Sequence, residues 1–140
     1  MSVYLDASIL VALFTNDPHT DRANALLLQR SPIVIVSDFA AAEFASAISR
    51  RVRMKDLQRA AAHRCFSTFD AWTVQAASHV QVTGLDISVA GSFLRQLDLT
   101  LRTPDAIHIA IARRLGATLF TFDERMAKVA RSLGLELLRA

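Results

Sequence analysis

Four acidic residues stand where a carboxylate is hard to explain by solvation alone. Asp6 closes the strand-like run Val3-Tyr4-Leu5, and Asp123 follows Thr121-Phe122. Asp105 lies one residue after Thr103-Pro104, in the first turn of a helix-forming segment. Glu43 sits in Phe39-Ala40-Ala41-Ala42-Glu43-Phe44-Ala45-Ser46-Ala47-Ile48, with Phe39, Ala40 and Ala47 as its neighbours at helical spacing and Arg50 and Arg51 further on. An unpaired carboxylate turned toward such a small-residue stripe is costly. A bound cation or a nearby arginine would remove that cost; a side chain at the stripe's edge would reach solvent instead. The three aspartates also have structural readings. Asp6 and Asp123 can cap helices, and Asp105 is favoured by the dipole of the helix it opens. Taken together, acids arriving from separate elements make an oxygen-only donor set, which suits a hard divalent cation such as Mg2+ or Mn2+. An ion among several carboxylates activates water and neutralises charge on a phosphoryl oxygen.

The elements that must position these acids alternate in type. Strands are expected at 3–5, 33–36, 79–82, 119–121 and 135–138. Helices are expected at 7–14, 20–29, 38–53, 55–73, 88–97, 103–115 and 124–132, the last closed by Gly134. Ile33-Val34-Ile35-Val36 is an unbroken β-branched run of the kind found in buried parallel strands. Thr103 is the expected N-cap of its helix, with Pro104 at the first helical position. The pattern specifies a single α/β domain over residues 1–140, a three-layer α/β/α sandwich around a central parallel sheet. In such sheets function gathers at the carboxyl ends of the strands, where Asp6 and Asp123 lie.

Composition narrows the chemistry. The chain carries 16 Lys and Arg against 13 Asp and Glu, a net charge of +3. Setting the four candidate acids aside leaves nine carboxylates against those bases, a body of charge +7 around an acidic pocket. That distribution suits a polyanionic substrate held through metal ions. The single cysteine, Cys65, excludes an internal disulfide, has no ligand partner at useful spacing, and reads as a small core residue. No Cys/His set points to zinc, and the four glycines are isolated, against a phosphate-binding glycine loop. The longest apolar runs fall far short of a membrane span, and no signal peptide is apparent, so a cytosolic (cytoplasmic) protein is expected.

Val3-Tyr4-Leu5-Asp6-Ala7-Ser8, Glu43 in a helix after a strand, Leu101-Arg102-Thr103-Pro104-Asp105-Ala106-Ile107-His108-Ile109-Ala110 and Thr121-Phe122-Asp123 resemble the PIN domain, and in particular the toxin half of VapBC toxin–antitoxin pairs. The likeness spans nearly the whole chain. It implies a Mg2+- or Mn2+-dependent endoribonuclease, a homodimer, and a cognate antitoxin that inserts a segment near the active site. It carries Asp6, Glu43, Asp105 and Asp123 over as the acidic quartet. Ser8 and Thr121 match polar positions beside the first and last acids, where each binds water or a carboxylate or serves as a local cap.

Other residues offer less. His108 shares a helix face with Asp105, which it can order, or it contacts substrate, or it packs among Ile107, Ile109 and Ile111. Arg50, Arg51, Arg53, Lys55, Arg59 and Arg64 form the densest basic stretch, a phosphate track, a seat for an acidic partner or a solvated face. Little aromatic interleaving argues against a base-stacking platform, and residues 54–79 hold no position that matches a functional one. Two rival functions are set by the same acids. A phosphatase with a nucleophilic Asp should carry a second Asp two positions on, and here that residue is Ser8. A non-catalytic binding module would keep the fold without needing all four carboxylates.

Overall fold

The computed structural model describes residues 1–139. Its elements are β1 (Ser2–Leu5), α1 (Ala7–Phe14), α2 (Thr20–Arg30), β2 (Ile33–Ser37), α3 (Asp38–Arg53), α4 (Arg59–Ala76), β3 (Ala77–Val80), α5 (Gly84–Leu94), α6 (Thr103–Leu115), β4 (Thr118–Phe120) and α7 (Glu124–Ser132). All sheet pairings are parallel, in the order β3-β2-β1-β4. The chain therefore leaves β1 in one direction to reach β2 and returns on its other side as β4. The point between β1 and β4 is the switch at which open α/β sheets form a crevice.

Strand alternation divides the core in two. Val3, Leu5, Val34, Val36 and Phe120 face one side and pack against α1 to α4, with Phe44, Ile48 and Phe69 as the large partners. Tyr4, Ile35 and Leu119 face the other, against α5, α6 and α7. The three-layer sandwich expected from the sequence is the architecture observed. Helix α6 is buried continuously from Asp105 to Ala112, which explains why its apolar residues show no single stripe.

Several boundaries differ from expectation, each for a local reason. Helix α4 begins at Arg59, not Lys55, because Lys55 takes a left-handed φ of 61° and turns the chain out of α3. It then runs directly into β3, which lies at 77–80 rather than 79–82. Helix α5 begins at Gly84, not Ser88, because Thr83 and Asp86 form a reciprocal capping box. The N-cap of α6 is Arg102, and Thr103 is already helical. The expected strand at 135–138 reduces to one parallel bridge, Leu119 to Leu137, since β4 has only three residues to offer. Cys65 is half-buried, its thiol donating to the Phe14 carbonyl oxygen at 3.1 Å. Among the described residues, no helix is long and apolar enough to cross a membrane.

Candidate active site

Asp6 and Asp123 leave the carboxyl ends of the adjacent strands β1 and β4 and cap α1 and α7. Their Oδ1 atoms accept from the Ile9 amide at 3.2 Å and the Met126 amide at 3.0 Å. Capping does not exclude a site role, because each cap uses only one of the two carboxylate oxygens. Asp105 lies in the first turn of α6, and its Oδ2 accepts from the Arg102 amide at 3.2 Å. Asp6 and Asp105 are each only 2% exposed.

Ser8 and Thr121 have a shared logic. The Ser8 hydroxyl oxygen accepts from the Phe122 amide at 3.0 Å, and the Thr121 hydroxyl oxygen accepts from the Asp123 amide at 3.0 Å. With those lone pairs engaged, both protons are directed to Asp6, Ser8 onto Oδ1 at 2.6 Å and Thr121 onto Oδ2. Two hydroxyls therefore tie the first acid to the loop that carries the last one. Asp6 belongs to none of the ion pairs among the described residues. Burial pushes its carboxyl up and outweighs the Ser8 and Thr121 hydroxyls and the Ile9 amide, which pull it down, so the net result lies above the ordinary carboxylate value.

Glu43 reaches the same region from α3. It is neither a glutamate stranded in solvent nor paired to arginine: its Oε1 meets Nε2 of His108, one turn beyond Asp105 on α6. His108 is buried, and its Nδ1 lies 2.7 Å from the Tyr4 phenol oxygen, which lies 2.7 Å from Ser37 Oγ. Sequence reasoning left His108 open and missed its link through Tyr4 to Ser37. The available signal was a tyrosine in a buried strand, whose hydroxyl usually finds a partner. Arg102 was also unplaced. Its guanidinium lies 3.5 Å from Asp105 and 3.9 Å from Asp123, on a side chain 67% exposed.

Hydrogen bonds and ion pairs thus link the elements that carry all four acids. The acids do not close on one point: among the described residues no three His, Cys, Asp or Glu side chains form a ready ligand set. The donor chemistry nonetheless fits a hard cation. All four are oxygen donors, Asp6 is a buried anion held only by neutral hydroxyls and an amide, and Arg102 supplies positive charge between two of the others on a side chain free to swing away.

The chain matches the family model described as PIN domain over residues 3–132. The chain belongs to the PIN domain family. A curated relative, Ribonuclease VapC46 of Mycobacterium tuberculosis, is 32% identical over 98% of this chain and 96% of its own. Among solved structures, this PIN domain is similar in fold to the M. tuberculosis VapC20, described as a sarcin–ricin loop cleaving toxin, with a TM-score of 0.76 at 20% identity over 99% of each chain. VapBC2 from Rickettsia felis, bound to a DNA fragment from its promoter, gives a TM-score of 0.71 at 20% identity over 98% of this chain and 97% of that one.

Proposed function

We propose that this PIN domain is a Mg2+- or Mn2+-dependent endoribonuclease that hydrolyses RNA phosphodiester bonds, with Asp6, Glu43, Asp105 and Asp123 as its metal-holding and catalytic acids. Its further assignment is the toxin half of a toxin–antitoxin pair, homodimeric, cytosolic, and held in check by a cognate antitoxin. The observation that carries the reading is Asp6. A buried carboxylate fixed by two hydroxyls and left without a cationic partner is an expensive feature, and a bound divalent ion removes that expense. The likeness to Ribonuclease VapC46 supports RNA as the substrate, and the VapBC likeness supports the antitoxin.

A divalent ion in the cleft supplies Lewis-acid charge, which lowers the pKa of water and stabilises charge on the phosphate. The chain's own residues do the rest. Asp6 and Asp105 are the best placed to hold the ion, since both are buried and hydrogen-bonded. Ser8 and Thr121 keep Asp6 in one orientation. Asp123, about a third exposed, completes the set. Glu43, held at one oxygen by His108 and about a third exposed, is placed to take a proton from the attacking water at its other oxygen. Beside Glu43 a groove lined by Ser46, Arg50, Arg51 and Asp56 continues along α3, and Arg50 there, unlike Arg51 with its Asp17 partner, is placed to meet a flanking phosphate.

The test is cleavage of a mixed structured-RNA pool by purified protein with Mg2+, with Mn2+ and with EDTA, beside Asp6→Asn. Metal-dependent cutting that disappears in the variant is expected. Full cutting by a folded Asp6→Asn protein would refute the assignment, and metal binding without any cutting would favour a binding module. Light scattering checks the dimer.

A further inference from the structure

We propose that Ser37, Tyr4 and His108 form a buried relay that positions Glu43, so that the reach and orientation of this acid are set from the N-cap of its own helix. The inference rests on the nuclease reading of Glu43.

The relay runs from Ser37 outward. Ser37 is the N-cap of α3, and its Oγ accepts from the Ala40 amide at 2.9 Å. In the relay its proton goes to the Tyr4 oxygen, 2.7 Å away. Tyr4 in turn donates to His108 Nδ1 at 2.7 Å. An Nδ1 that accepts leaves the proton of the neutral ring on Nε2, which donates to Glu43 Oε1. The imidazole is also fixed by packing, with the Phe39 ring against it at 5.1 Å and the Tyr4 ring at 5.7 Å.

Ser37, Tyr4 and His108 are each at most 1% exposed, and Glu43 is the only member that opens to the cleft. Packing alone does not call for such a polar string, since apolar residues of similar volume often serve a core as well. The string begins at the cap of α3, crosses β1 and α6, and returns to α3 six residues later. It therefore fixes the spacing of α3 and α6, the two helices that deliver Glu43 and Asp105. Partners that orient a metal or catalytic group in this way contribute about 10- to 100-fold when removed.

Three readouts test the relay. Nitrogen-15 spectra of metal-free protein at pH 8 should show His108 as the Nε2–H tautomer. Tyr4→Phe should erase that bias, lower kcat about 10-fold with KM for RNA unchanged, and weaken Mn2+ binding in calorimetry. In a Glu43→Ala background the same Tyr4→Phe change should cost no further Mn2+ affinity. Ser37→Thr, which keeps both cap and hydroxyl, should retain the wild-type tautomer. A His108 found as Nδ1–H, or equal losses of Mn2+ affinity in both backgrounds, would overturn the relay. The expected tautomer and coupling without RNA cleavage by the wild type would leave the relay standing and sink the nuclease reading instead.

Discussion

Replacing Asp6 by Asn should make the metal-free protein more stable while abolishing its cleavage. Asn keeps the size of the side chain, and its carbonyl oxygen can still accept from the Ile9 amide and the Ser8 hydroxyl. Its amide can donate to Thr121 Oγ, where the carboxylate had accepted. What disappears is a buried negative charge without a cation. Relieving such an active-site charge stabilises by about 1–2 kcal/mol, which for a domain of this size raises the melting temperature by about 3–7 °C. The sign with pH follows from the raised Asp6 carboxyl. The ionised form opposes folding above the folded pKa, and that penalty vanishes as pH falls below the unfolded value near 3.9. The variant's advantage should therefore be full above the folded pKa of Asp6 and shrink as pH falls toward the unfolded value. Saturating Mg2+ should reverse the order, because ligand at 100 times its Kd stabilises wild type by about 2.7 kcal/mol. Thermal unfolding followed by circular dichroism, in EDTA and in Mg2+, measures all of this. A variant that melts below wild type in EDTA at neutral pH would refute the reasoning.

Arg50→Ala should weaken RNA binding uniformly across sequences and reduce the salt slope of log K by about 1, read from fluorescence titrations at several salt concentrations. Asp86→Asn should destabilise by about 1.5 kcal/mol, since Asp86 is buried and receives Arg114 Nε at 2.8 Å on an arginine that is 30% exposed. Burial pushes the Asp86 carboxyl up, but Arg114 and Thr83 outweigh it and leave it below the ordinary value. Its stabilisation is thus present above about pH 4 and lost as pH falls through the folded pKa, so wild type and variant should converge in acid urea titrations. Phe44→Ala should cost about 4 kcal/mol in urea unfolding, because the ring is 1% exposed and lies 4.7 Å from Phe69 and 5.9 Å from Phe14.

The positions of Asp6 and Asp123 were readable because strand ends and sheet polarity are local signals with a global meaning. The layers followed from alternation of strand and helix. Glu43 was flagged by its cost inside a stripe, but its actual partner was not: His108 lies 65 residues away, and only packing of α3 on α6 brings the two together. His108 itself was masked by its isoleucine neighbours, which are core residues as expected. Tyr4 offered a strand former in sequence and a hydrogen-bond donor in three dimensions. The start of α5 was a readable signal passed over, since Thr83 and Asp86 stand three apart as a capping pair must. Lys55 gave none, because a left-handed lysine is imposed by the turn that ends α3 rather than by its own preference.

Two of the acids that would do chemistry, Asp6 and Asp123, are also the residues that start helices. Folding needs only a side-chain oxygen at each place, and asparagine supplies one. A single base change converts an aspartate codon to an asparagine codon, and another restores it. If these acids hold the metal as proposed, activity would be silenced and recovered along a lineage one mutation at a time, in a chain that keeps its helix starts and the surface it presents to whatever binds it. Alanine at either position is less neutral, since it removes the helix cap along with the charge, at about 1 kcal/mol.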